Sequence, residues 1–128
     1  GLHPILEPEV NIHSSQKADA EEILKKYLLE NLNKLKPNEK IMLKLTLPTI
    51  PNFYKEIIAH PSVLRVVALS GGYTRVDANS LLAQNDNMVA SFSRALTEGL
   101  KADDSAEFFD SKLDDSIGSI YFASVGKV

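Results

Sequence analysis

Ile41-Met42-Leu43-Lys44-Leu45-Thr46-Leu47-Pro48 decides how this chain is read. The stretch has the near-continuous apolar character of a buried parallel strand, yet a lysine stands in its middle. Alternation sends Ile41, Leu43, Leu45 and Leu47 to one face and Met42, Lys44 and Thr46 to the other. The first face is a wall for helices. The second points an amine and a hydroxyl into an interior. An ammonium there is costly unless it is paired or loses its proton, and a neutral lysine amine is a nucleophile toward carbonyl carbon.

Around that strand the pattern is strand, helix, strand, helix, repeated about four times. Pro4 to Val10 reads as a first strand, and Gln16 to Leu35 as a helix with Ile23, Leu24, Tyr27, Leu28, Leu32 and Leu35 at helical spacing. Pro51 to His60 reads as a shorter helix, and Leu64 to Leu69 as the third strand. After Ser70-Gly71-Gly72, the capping pattern Thr74-x-x-Asp77 opens a helix to about Asn85. Met88 to Phe92 is the fourth strand, and Arg94 starts a helical turn. Asp104-x-x-Glu107 is expected to cap a last helix, with Phe109, Leu113, Ile117 and Ile120 as its stripe. Such an alternation predicts a parallel sheet covered by helices, either an open doubly wound sheet or part of a (β/α)8 barrel. A complete barrel needs roughly 200 residues or more, so 128 residues supply half of one at most.

Composition narrows the function. A net charge of −3 argues against nucleic acid or an anionic membrane as the main partner. With no cysteine there is neither a disulfide nor a thiolate metal site. His3, His13 and His60 lack the spacing of a metal site and read as surface or loop residues; no cofactor is expected. No run is long enough to span a bilayer and no signal segment leads the chain, which fits a soluble cytoplasmic protein.

Polar residues gather at the strand exits, where α/β folds place their sites. Glu7 and Glu9 share a face of the first strand. Ser70 falls where the third strand gives way to glycines, and Ser91, Ser93 and Arg94 cluster after the fourth. The Ser70-Gly71-Gly72 turn precedes a capped helix N-terminus whose amides suit phosphate. Each feature also has a structural reading. Lys44 and Glu7 form a buried ion pair equally well, the glycines serve a tight turn, and Arg94 serves as a surface cation.

Four blocks, taken together, resemble class I fructose-bisphosphate aldolase, most closely its compact bacterial branch. They are Pro4-Ile5-Leu6-Glu7-Pro8-Glu9, Met42 to Pro48, Val67-Ala68-Leu69-Ser70-Gly71-Gly72, and Ala90-Ser91-Phe92-Ser93-Arg94-Ala95-Leu96. The resemblance implies half of a TIM (β/α)8 barrel, about four parallel βα units, with residues 1–128 as the C-terminal half. It implies reversible cleavage of fructose 1,6-bisphosphate, a glycolytic step, into dihydroxyacetone phosphate and glyceraldehyde 3-phosphate. By the same resemblance Lys44 forms the Schiff base, Glu7 handles protons and Glu9 is its carboxylate neighbour. Ser70, Gly71 and Arg94 would grip the C1 phosphate, with Gly72 and Ser93 close by.

The chain departs from the family in three ways. Phe92-Ser93 replaces the Tyr-Gly of many animal relatives, and the chain ends at Lys127-Val128 without their tyrosine tail. Gly1 opens almost directly onto a strand, so the first four βα units are expected to be missing. The expected partners are therefore a phosphorylated sugar and either the missing half or a second copy. Little activity is expected of the isolated half. An inert phosphate-binding α/β module is the alternative.

Overall fold

The computed structural model describes residues 1–126; the terminus at Lys127 and Val128 lies outside them. Strands β1 (Ile5–Leu6), β2 (Ile41–Thr46), β3 (Val63–Leu69) and β4 (Met88–Ala90) alternate with helices α1 (Lys17–Leu32), α2 (Lys55–Ile58) and α3 (Arg75–Ala83). After β4 come α4 (Arg94–Thr97) and α5 (Ala106–Val125). All four strands are parallel and lie in the order β1-β2-β3-β4. A doubly wound sheet reverses its strand order at a switch point, and this one never does. The sheet is an arc of a barrel wound in one direction, an α/β half-barrel.

The core lies between the sheet and its helices. Leu43, Leu45 and Leu47 are wholly buried and meet Tyr54, Ile57, Ala78 and Leu82 in one cluster. The opposite face is the lumen side. Register aligns Ile5, Met42 and Arg65 at one level, and Lys44, Val67 and Val89 at the next. A shift in the β2–β3 register between Ile41 and Met42 leaves Leu64 as the extra residue and sets this alternation. Lys44 thus sits at mid-depth, between the strand entrances and exits.

Several elements are shorter or turned relative to expectation. The first strand pairs only over Ile5–Leu6, because Pro4 and Pro8 have no amide to donate to a ladder. The helix expected from Pro51 condenses to Lys55–Ile58. Asn52 there takes a left-handed φ of 59° and exchanges hydrogen bonds with Asn85 and Asp86. Thr74 caps α3 as expected, accepting from the Asp77 amide at 3.1 Å. The cap of α5 is Ser105 rather than Asp104: Ser105 Oγ accepts from the Phe108 amide, while Asp104 accepts from that of Lys101.

The buried faces of the two long helices also differ from the expected stripes. In α5, Ser116 and Ala123 are buried, with Ile120 against the core, whereas Phe109 and Ile117 are exposed. Small residues let this helix approach closely, and its apolar residues lie on too many sides for spacing to choose among them. In α1 the inward stripe runs through Lys17, Glu21, Leu28 and Leu32, and leaves Ile23 and Tyr27 exposed. Ser124 Oγ accepts from the Ala90 amide at 3.1 Å, so α5 also caps part of the free edge of β4. Among the described residues no helix is long and apolar enough to cross a membrane.

Candidate active site

The strand exits converge on a cavity of about 170 Å³. Glu7 and Glu9 enter it from the segment after β1, and Lys44 from the middle of β2. Leu69, Ser70 and Gly71 close it from the end of β3; Ser91, Ser93 and Arg94 close it from the end of β4. Seven of the eight expected site residues therefore line one space. The eighth, Gly72, borders it through Arg94: a Cβ placed on Gly72 would lie 3.9 Å from the Arg94 guanidinium.

Lys44 Nζ donates to Glu7 Oε2 at 3.2 Å. The two side chains retain 28% and 55% of their exposure, so the amine is paired and partly hydrated rather than dry. Four strands leave the lumen open, which is why a lysine halfway along a buried-looking strand still meets water.

Glycine is required at the β3 exit. Gly71 has φ +61°, and a Cβ there would come within 3.0 Å of Ile12 and 3.2 Å of Leu69. Gly72 follows with φ +102°. The two left-handed residues bend the chain sharply, and the Tyr73 amide closes the turn on the Ser70 carbonyl at 2.9 Å. Capped helix α3 then begins at Arg75, whose amide donates to Glu98 Oε2 at 2.7 Å. The Arg94 guanidinium has no hydrogen bond or ion pair among the described residues, and Arg94 lines the same cavity. Ser93 takes no side-chain cap role at α4.

Sequence reasoning placed Thr46 beside Lys44 as a second lumen group, but its hydroxyl is fully engaged. Thr46 Oγ1 accepts from the Val10 amide at 2.9 Å and donates to the Val10 carbonyl at 3.2 Å. A polar network at the β2 exit was not foreseen at all. Buried Lys17 and Glu21 form an ion pair. Lys17 Nζ also donates to the Leu47 carbonyl at 2.9 Å and to Thr49 Oγ1 at 3.0 Å. Glu21 Oε2 accepts from the Thr49 amide at 3.0 Å. The only sequence signal for it was a Lys-x-x-x-Glu spacing, which ordinarily marks a solvated helix face. Among the described residues no group of three or more His, Asp or Glu is placed to hold a metal ion.

The arrangement joins an amine to a carboxylate and sets both in one cavity with Arg94 and the Ser70-Gly71 turn. No family model matches the sequence. Over 125 residues, 98% of its length, the chain is 58% identical to fructose-bisphosphate aldolase class 1 of Porphyromonas gingivalis. It spans 42% of that relative. The relative implies a TIM-barrel fold, which the four-stranded parallel arc fits as a half. Across nearly its whole length, then, this chain is similar to class 1 fructose-bisphosphate aldolase, in a partial match consistent with a C-terminal fragment of such a protein.

Proposed function

We propose that this chain supplies the Schiff-base part of a fructose-1,6-bisphosphate aldolase. The observation that carries the reading is the 3.2 Å contact from Lys44 Nζ to Glu7 Oε2, in one cavity with Arg94 and the Ser70-Gly71 turn. Lys44 hands a proton to the carboxylate side and attacks the C2 carbonyl of the ketose, forming a carbinolamine. Glu7 returns a proton to the departing hydroxyl, which leaves as water and yields the protonated imine. The C3–C4 bond then breaks, and its electron pair moves into the iminium to give an enamine. The C4 hydroxyl passes its proton to a base on the half that completes the barrel and becomes the aldehyde of glyceraldehyde 3-phosphate. Protonation at C3 and hydrolysis of the imine release dihydroxyacetone phosphate. Glu9 keeps the neighbourhood of Glu7 anionic.

The C1 phosphate lies against Arg94 and the Ser70, Gly71 and Gly72 turn, with Ser93 at its side. Backbone amides and a guanidinium suit its charge and shape. The open lumen and the exposed Ile5 and Leu6 of the edge strand support a second half-barrel, or a second copy, as the partner that completes the site. As a glycolytic enzyme, the complete protein belongs in the cytoplasm.

Borohydride reduction in the presence of dihydroxyacetone phosphate tests the reading. The expected result is one stable adduct, found by mass on the Lys44 peptide, and its loss when Arg94 is changed to Met at low ligand concentration. A protein that binds sugar phosphates and never traps at Lys44 is an inert phosphate-binding module instead.

A further inference from the structure

Glu7 is held in place by surprisingly little of its own strand. The β1–β2 ladder is two residues long and ends at Leu6, paired with Leu43. Glu7 comes next, with an exposed side chain, and Pro8 has no amide with which to resume the ladder. Backbone pairing therefore stops just before the residue whose carboxylate must sit 3.2 Å from Lys44 Nζ. Apart from the Glu7–Lys44 contact itself, the next hydrogen bonds of this segment to β2 are at Val10, and a side chain makes them.

Thr46 is 1% exposed and lies two residues beyond Lys44 on the same face of β2. Its single hydroxyl accepts from the Val10 amide and donates to the Val10 carbonyl. One oxygen thus does what a pair of backbone groups does in a ladder. The segment Glu7-Pro8-Glu9 is a short span tied at both ends to β2, by Leu6–Leu43 before it and Val10–Thr46 after it. Both ties flank Lys44. With the far tie gone, the span would hang from one end, and Glu7 would be free to swing away from Lys44.

We infer that Thr46 is a positioning residue, one that holds the Glu7 carboxylate against the Lys44 amine by clamping Val10. The role rests on the Schiff-base reading of Lys44 and Glu7. It also explains why a hydroxyl occupies a lumen-side position that is fully buried, where an apolar residue would fill the same volume without needing partners.

The test compares Thr46→Val, which keeps the shape and deletes the hydroxyl, with Thr46→Ser, which keeps the hydroxyl. Both are made in the protein that contains this chain and probed with dihydroxyacetone phosphate and borohydride. Thr46→Val is expected to slow adduct formation at saturating ligand by about 10- to 100-fold, the scale of a 1 Å misplacement, with the half-saturating concentration little changed. Thr46→Ser should stay within about threefold of the parent, since a retained hydroxyl keeps both bonds. Combining Thr46→Val with Glu7→Gln should be no slower than Glu7→Gln alone, because both remove the same contribution.

Additive losses in that cycle, or an equal loss in the serine variant, would reduce Thr46 to a packing residue and overturn the inference. Undiminished trapping by Thr46→Val would overturn it too. A parent protein that never labels Lys44 instead overturns the Schiff-base reading itself, which separates the two failures. If Thr46→Val does not fold, as judged by its thermal transition, Thr46→Cys carries the same comparison with a side chain that bonds only weakly.

Discussion

Two of the lysine–glutamate pairs among the described residues sit against the same strand and do opposite things. Lys44–Glu7 stands on the lumen side of β2, 3.2 Å apart, with both side chains partly in water. Lys17–Glu21 lies on the helix side at the exit of β2, with 9% and 2% of side-chain exposure remaining. An exposed pair contributes about 0–1 kcal/mol and can exchange its partner for a substrate. A buried pair whose ammonium and both carboxylate oxygens are hydrogen-bonded cannot be opened without stranding a charge. The Lys17 ammonium takes the Leu47 carbonyl and the Glu21 carboxylate takes the Thr49 amide. These two backbone groups flank Pro48, where β2 runs out of ladder. One pair is open to solvent; the other finishes a strand.

Replacing Lys44 draws that contrast most sharply. Lys44→Met is expected to abolish borohydride trapping entirely while shifting the urea midpoint by no more than the worth of an exposed pair, about 1 kcal/mol or less. Loss of several kcal/mol in that variant would mean the lumen pair is structural after all. Lys17→Met should show the reverse pattern in equilibrium unfolding. It leaves Glu21 charged and buried, at a cost of about 3–5 kcal/mol, and the double variant Lys17→Met, Glu21→Leu should recover most of it. If the single variant were neutral, the buried network would have no claim to hold the β2 exit.

How far the sequence foretold these pairs depends on what each one reports to periodicity. Lys44 interrupts an apolar run at a period of two, so its face and its neighbours were legible from β2 alone. The glycine turn, the Thr74 cap and the convergence of Glu7, Ser70 and Arg94 were legible too, because strand exits in a parallel sheet all point one way. Lys17 and Glu21 were not. They occupy two turns of the inward stripe of α1, where charge ordinarily signals solvent, while the apolar Ile23 and Tyr27 lie on a face that is exposed. What identifies that pair is the pair of backbone groups beside Pro48, thirty residues away in sequence, and no local pattern encodes it. Thr46 was legible as a lumen group and illegible as a clamp for the same reason: its partner, Val10, lies beyond a break in the ladder that Pro8 imposes.

The smallest of the expected effects concerns Tyr54, which lies within the influence of the buried pair. Its side chain is 1% exposed, and its hydroxyl has no hydrogen-bond partner among the described residues. Burial holds the phenol well above its ordinary pKa, and the negative charge of Glu21 adds to the shift. The acid form is the neutral one, so folding favours the protonated ring. In the unfolded chain the phenol ionises near pH 10, so the contribution of Tyr54 is fully present below about pH 10 and declines as pH climbs toward the raised native value. Urea unfolding at pH 8 and pH 11 should therefore show an alkaline loss in the parent that is smaller by about 1 kcal/mol in Tyr54→Phe. At pH 8 the phenylalanine variant should be at least as stable, since it removes a polar atom that is buried without a partner. Burial is the larger cause, so Glu21→Gln should leave most of the alkaline difference in place. If that substitution erased it, the charge of Glu21 would govern the ring, and the buried pair would reach further into the core than the bonds it makes at Thr49.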